Sequence, residues 1–518
     1  MDLTESAPQP ELTTKKHPRQ LYMLFFAEMW ERFSFYGMKA LLLAYMVTQL
    51  KFDEPKGYAI LGSYAALVYT MPMFGGMMAD RFLGYRRAVL FGGVLMVIGH
   101  LVLAIPQGWS FFYGMAFIIC GNGFFKPNIS SLVGTLYSNN DPRKDSAFSI
   151  FYMGINVGAA LGGLLCGYVG QRINWHYGFG LAGLFMIVGL IVFAIGKKSL
   201  LEKGLPPNEA ALKKPRFGFI TNEYLIYGGT LLVVPMVVAL FNQYEVMDFI
   251  MFGLGGLSLA YVLYIAFSLE AAAKFKLFAA LVMIISSTLF WAFYEQNAGS
   301  LNLFAMRNVD MNVGGMNLPP LSVNNFLPPG WVVICSFIFA WLWPWLNKKG
   351  KEPSTPFKFA FSFLLMGIGF YVFYLGCKNA NGGLISMFSF VGGYFFIICG
   401  EMCLSPIGLS MVTKLSPVKI VSMMMGIWFF ASAIGEFLAG KIGSMMSVPA
   451  EVAAANNPVT SLPYYADILL KIAQGSILIG VILMFLSPVI RKWMGNMTDD
   501  TRISTVTVKD ALDKPVNV

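Results

Sequence analysis

The stretch LYMLFFAEMWERFSFYGMKALLLAYMVTQ, residues 21–49, is long and apolar, yet four charges sit in its interior. A block of about 20 apolar residues crosses the hydrocarbon core as an α-helix. At about 100° per residue, Glu28, Glu31, Arg32, Phe35 and Lys39 share one face. Two carboxylates, a guanidinium and an ammonium on one face cannot look at lipid. A charge at the bilayer centre costs at least about 2.5–3.5 kcal/mol. The segment therefore reads as a membrane-spanning helix whose charged face looks into protein or a water-filled cavity. A structural ion-pair cluster is one reading of that face. Two crowded carboxylates favour the other, a proton-carrying site.

The rest of the chain repeats the apolar theme. Of 518 residues, 57% are hydrophobic and only 12% charged, with a mean hydropathy of +0.63. A soluble domain carries about 25% charged residues. The apolar blocks do not alternate with period two, which excludes a barrel and predicts helices. Spans are expected at roughly 21–49, 57–79, 87–106, 109–136, 146–170, 176–196, 221–241, 247–269, 275–306, 327–346, 357–377, 384–413, 418–446 and 464–490. This predicts an all-α polytopic protein of about fourteen spans. Its organisation is a tail (1–20), a six-helix bundle (21–196), a basic linker (197–218), an accessory hairpin (219–271), a second six-helix bundle (272–490) and a tail (491–518). The hairpin carries few charges within its spans and is expected to face lipid. The first block itself is expected to direct insertion.

Charge distribution orients this map. With both termini cytoplasmic, the inner segments hold Lys15, Lys16, Arg81, Arg86, Arg87, Arg143, Lys144, the cluster from Lys197 to Arg216, Lys274, Lys276, Lys348, Lys349, Lys351, Lys358, Lys414, Lys419, Arg491 and Lys492. The outer segments hold few: Lys51, Lys56, Arg172, Arg307 and Lys378. This is a positive-inside pattern, so the net charge of +10 calls for no nucleic acid. The six cysteines lie in or beside apolar blocks and read as small buried hydrophobes.

Further charges interrupt the spans. Lys126 lies mid-span beside Pro127 and Asn128, where a helix-breaking proline frees carbonyls and implies a cavity wall. Glu295 and Glu401 stand in the second half. Cations mostly in the first half and carboxylates in the second suit a zwitterion with separated ends. His100 lies alone in a span and reads as packed or hydrogen-bonded. No metal cluster and no Ser/His/Asp set accompanies these residues, so neither an enzyme nor a channel is expected.

These residues resemble the proton-dependent oligopeptide transporter family of the major facilitator superfamily. The resemblance covers nearly the whole chain. It is carried by Glu28-x-x-Glu31-Arg32-Phe33 to Gly37, the Asp80–Arg81 loop, Lys126-Pro127-Asn128, Phe148 to Gly158, Pro353 to Phe359, and Glu401 to Pro406. The extra hairpin is similar to that of bacterial members. The resemblance implies a bacterial inner-membrane symporter that imports di- and tripeptides with protons by alternating access, uses no cofactor and works as a monomer. It implies that Glu28 and Glu31, beside Arg32, bind the proton. Arg32 and Lys126 would hold the peptide carboxylate and Glu401 its amino group. Tyr36, Lys39, Tyr69, Asn156, Trp291, Glu295, Ser405 and Trp428 would line the pocket. Asp80, Arg81, a Lys126–Glu401 pair and a Lys39–Glu295 pair would gate it. Phe35, Lys39, Gly62 and Pro328-Pro329 depart from common family residues. The last removes a polar group and leaves another small zwitterion or anion open as solute.

Overall fold

The computed structural model describes residues 16–138, 141–218, 220–405, 408–417 and 420–495. Lys15, Pro406, Lys419 and most of both tails lie outside the described residues. The long helices are α1 (Arg19–Thr48), α2 (Glu54–Met78), α3 (Gly84–Leu103), α4 (Gly108–Thr135), α5 (Lys144–Arg172), α6 (Trp175–Gly196), α7 (Asn222–Asn242), α8 (Tyr244–Phe267), α9 (Ala271–Tyr294), α10 (Pro320–Lys348), α11 (Thr355–Lys378), α12 (Met387–Leu404), α13 (Val421–Met445) and α14 (Pro458–Met494). Among the described residues, eleven stretches are long and apolar enough to cross a membrane, one of them running through both α2 and α3. Helices α1 and α4 fall below that apolarity because they hold Glu28, Glu31, Arg32 and Lys39, and Asn122, Lys126 and Asn128.

Two spans are broken where the sequence suggested continuity. After α9 the chain makes a tight turn, Glu295–Asn297, before a short helix, Ser300–Asn308. After α12 a second short helix follows, Gly408–Leu415. Glu295 sits in the first break and Glu401 one turn before the second. Broken helices place backbone polar groups and side chains at a midplane cavity.

Helix α1 packs on α5 and α6, α3 on α4 and α6, and α2 on α4. In the later part, α11 packs on α12 and α14, and α9 on α13 and α14. The two groups meet where α2 lies on α13 and α5 on α10. Glycine makes the tightest of these contacts possible. A Cβ at Gly158 or Gly162 of α5 would collide with the backbone carbonyls of Met29 and Phe33 on α1. Small residues are the usual means of close helix approach in a membrane, where lipid gives helices no hydrophobic reason to associate. Around Pro127, Asn128 Nδ2 donates to the Phe124 carbonyl at 2.7 Å, and Ser131 Oγ to the Pro127 carbonyl at 2.9 Å. These side-chain bonds add to the helix ladder on either side of the proline.

The hairpin formed by α7 and α8 is largely exposed, but it is more than a lipid-facing accessory. Helix α7 packs on α4, and α8 on α9 and α13. Asp248 on α8 pairs with Lys441 on α13 at 2.6 Å. Glu223 on α7 pairs with Arg87 of α3 at 3.3 Å.

Gly162→Val is expected to destabilise the protein by about 1–3 kcal/mol through overpacking, read as a lower unfolding midpoint in detergent. Gly229→Val, at a position with nothing within 4 Å of the new Cβ, is expected to leave the midpoint unchanged.

Candidate transport pocket

The first-span cluster forms the back of the site. Arg32 engages both oxygens of Glu31 through Nε and Nη2, and its Nε lies 3.5 Å from Glu28. Asn122 of α4 donates to Glu31 at 3.4 Å. The Arg32 guanidinium also lies over the Phe35 ring, 5.0 Å from its centroid, so the phenylalanine keeps a cation–π contact. Glu28, Glu31 and Arg32 are all buried. One cation of the cluster reaches the cavity: Lys126 Nζ, 3.5 Å from Glu28, with its side chain one-third exposed.

In front of this cluster lies a cavity of about 230 Å³ between the two helix groups. Tyr36, Lys39, Tyr69, Lys126, Asn156, Trp291, Glu295, Glu401 and Ser405 line it. Tyr152, Tyr294 and Asn325 line it as well. Tyr294 donates to Glu401 at 2.7 Å, which orients that buried carboxylate. Asn325 stands about one turn before Pro328 and Pro329 on the same wall, and it is held by a 2.7 Å bond to Asn302. A polar group thus remains beside the diproline segment. The signal for Tyr294 was its position next to Glu295 in an aromatic-rich span end, and that for Asn325 was a polar pair, Asn324-Asn325, opening an apolar helix.

Several expected contacts are arranged differently. Arg32 does not line the cavity, because Glu31 occupies its guanidinium fork. Trp428 is buried in the core with its ring against Gly408, away from the cavity. Lys126 and Glu401 share the cavity without an ion pair; their partners are Glu28 and Tyr294. Asp80 and Arg81 lie exposed in a turn at the end of α2, where Asp80 faces Tyr85 rather than the second half. His100 is fully buried, and neither ring nitrogen has a hydrogen-bond partner among the described residues. Among the described residues no cluster of metal-ligating side chains occurs.

A seal joins the two groups at the end where basic residues are sparse. Lys39 of α1 reaches Glu295 at 3.0 Å and Glu436 of α13 at 3.4 Å. Glu54 of α2 accepts from Arg307 at 2.6 Å and from the Val448 amide at 3.0 Å. Gln171 accepts from the Leu321 amide at 2.8 Å. Gly62 and Gly440 meet face to face.

A two-group helical membrane protein with a charged midplane pocket, sealed at one end by ion pairs between the groups, is built as a transporter of the alternating-access kind. The comparisons agree. The family model described as the POT family matches residues 86–459. The chain is 37% identical to "Uncharacterized transporter YclF" of Bacillus subtilis, over 92% of this chain and 95% of that one. It is 32% identical to "Dipeptide and tripeptide permease A" of Cronobacter turicensis, over 92% and 94%. The crystal structure of a peptide transporter POT in complex with sulfate superposes with a TM-score of 0.78 at 34% identity, covering 92% of this chain and 96% of that one. Tetrameric PepTSo2 superposes with a TM-score of 0.79 at 29% identity, covering 92% and 99%. The chain belongs to the POT family of transporters and has its major facilitator fold.

Arg307→Met leaves Glu54 buried without its cation. It is expected to cost about 3–5 kcal/mol, visible as a lower unfolding midpoint. Adding Glu54→Gln, which removes the stranded charge, is expected to recover most of the loss.

Proposed function

We propose that the protein is a proton-coupled symporter that imports di- and tripeptides by alternating access across the bacterial inner membrane. The observation that carries this reading is the bipolar cavity: Lys126 on one wall, Glu401 on another, and a buried proton-site candidate directly behind Lys126. The names of the relatives, permeases and transporters of peptides, support the solute class.

The coupling follows from charge balance. Glu28 and Glu31 face Arg32 and Lys126, two anions against two cations. A proton on one carboxylate leaves one cation without a partner. Arg32 is buried and doubly bonded to Glu31, so Lys126 is the one released. A peptide carboxylate can then take Lys126, while the peptide amino group pairs with Glu401 held by Tyr294. Proton and peptide thus load together, and neither loads alone without stranding a charge. Tyr36, Tyr69, Asn156, Trp291, Asn325 and Ser405 offer the intervening backbone aromatic and polar surfaces.

In this reading the first six helices and the last six form two rocking bundles joined by residues 197–218, with residues 219–271 as an accessory hairpin. Both termini are cytoplasmic, so the observed seal closes the outer side. The proton is the coupling ion and no cofactor takes part. One chain holds the whole pocket, which makes a monomer sufficient.

Purified protein in liposomes is expected to accumulate labelled dialanine when an inward proton gradient is imposed, and a protonophore should abolish the accumulation. Absence of dialanine uptake by protein that still binds or moves another solute would overturn the substrate assignment. Glu31→Gln is expected to lose accumulation above equilibrium yet keep exchange of peptide for peptide. Normal accumulation in that variant would sink the first-span coupling. Lys126→Ala removes a charge-assisted hydrogen bond worth about 1.5–3 kcal/mol. Its KM for dialanine is therefore expected to rise roughly 10- to 100-fold.

A further inference from the structure

The seal holds one more carboxylate than its cation balances. Lys39 donates to Glu295 at 3.0 Å and lies 3.4 Å from Glu436. The side chains of Lys39 and Glu436 are 5% and 4% exposed, and that of Glu295 is 13% exposed. The two carboxylates also interact with each other. Among the described residues, the other charged groups nearby are already engaged. Lys441, on the same helix as Glu436, is turned to Asp248 of the hairpin. Arg32 is held by Glu31, and Arg307 by Glu54. What faces Glu436 besides Lys39 and Glu295 is neutral: Tyr69 from α2 and, a little further, Tyr64 of the same helix. The Tyr64 hydroxyl is fully buried without a hydrogen-bond partner, and it lies in the field of Lys39, Glu436, Arg32 and Glu31 together. With a single proton among the carboxylates the cluster is neutral. Without it, a negative charge is stranded in a water-poor setting.

The cluster also borders two cavities. A small cavity is lined by Lys39, Glu295 and Glu436 together with Tyr58, Gly62 and Gly440 of the seal. Lys39 and Glu295 line the main pocket too, whereas Glu436 does not. Lys39 comes from the first half, and both carboxylates come from the second. Separation of the halves at the seal therefore withdraws the ammonium and leaves two carboxylates facing each other with access to outer water.

We propose that Glu436 makes, with Glu295, a second proton-coupling site, which loads one proton when the seal opens, holds it as Lys39 returns and then releases it through the main pocket. On opening, a proton from the outer water binds one oxygen of the carboxylate pair as Lys39 leaves. On closing, the ammonium re-forms its pair with Glu295 and the bound proton keeps the cluster neutral. The proton then leaves to inner water through the pocket that Glu295 lines, and the negative charge left behind favours reopening of the seal. Each cycle then carries one proton beyond those moved by the first-span cluster. Glu295 alone would form a balanced pair with Lys39, and Glu436 is what adds the second negative charge.

The inference rests on the symport reading, and one experiment separates the two. Full-length protein in liposomes is clamped at a series of membrane potentials with fixed dialanine and proton gradients, and the potential of zero net peptide flux gives the protons moved per peptide. If the wild type shows no proton-driven flux, the symport reading itself fails. Given wild-type flux, Glu436→Gln and Glu436→Asn are expected to move one proton fewer per peptide, and Glu436→Asp is expected to restore the wild-type number. An uncharged variant whose zero-flux potential equals that of the wild type would overturn the inference. So would failure of both uncharged variants to transport while the aspartate variant succeeds, because Glu436 would then be needed for more than the extra proton.

Discussion

An ionised side chain in the membrane interior must have a partner, and this requirement organises the whole molecule. Glu28 and Glu31 are placed against Arg32 and Lys126, Lys39 against Glu295 and Glu436, and Glu54 against Arg307. Breaking a buried pair costs about 3–5 kcal/mol when one partner is left behind. A transporter can use that cost. If the replacement partner is a proton or the end of a peptide, the helices move only when cargo is present. The partners that matter lie on different helices for this reason. The Lys126–Glu28 pair joins α4 to α1, and the Lys39 pairs join α1 to the two later helices that meet at the seal.

Packing inside each half follows the opposite rule. Helix α5 lies on α1 through Gly158 and Gly162, and α3 approaches α4 where Gly92 faces Gly121 and Gly99 faces Gly114. These contacts are backbone against backbone and leave no room for a side chain to shift. Van der Waals contact of this kind is lost quickly with separation, so each half behaves as a stiff body. The interface between halves adds hydrogen bonds and ion pairs to a few close glycine contacts, such as Gly62 with Gly440 and Gly167 with Ser322, and encloses a cavity in the middle. Stiff halves with an exchangeable polar interface are what rocking motion about a central site needs.

Much of this was legible in the sequence, and the failures are informative. The first-span face could be read because 100° periodicity is independent of tertiary context, and Lys126 because it sits beside a proline. Helical periodicity does not report how deeply a side chain on the inner face is buried. The resemblance put Arg32 at the cavity wall, although its neighbour Glu31 takes its fork. Trp428 was expected there too, although its ring fills a space over Gly408. The breaks at Glu295–Asn297 and after Leu404 were hidden inside apolar runs. Glu436 escaped notice because it lies in no motif, within the apolar run from Ile434 to Gly440. Its signal was there: a carboxylate inside a span, one turn and a half before Lys441, on a helix that the charge map placed in the membrane. Asp248 in the hairpin carried a similar signal, since an intramembrane carboxylate rarely stands without a cation nearby. The hairpin's engagement with α13 followed from it.

The seal and the pocket are one electrostatic object. Lys39 and Glu295 belong to the walls of both cavities, and Tyr64 lies between the seal and the first-span cluster. A change of charge at one cluster is therefore felt at the other, since Arg32 and Lys39 stand about two helix turns apart on α1 in low-dielectric protein, where Coulomb energies far exceed their values in water. Coupling between proton site, peptide site and gate then needs no long mechanical relay. It needs only that the number of positive and negative charges on the inner faces agree in each state. The first-span cluster meets that condition with two of each, and the seal meets it only when it holds a proton. That asymmetry gives the cycle a preferred order, because the seal closes neutrally only while it keeps the proton it gained when open, and loss of that proton through the pocket favours reopening.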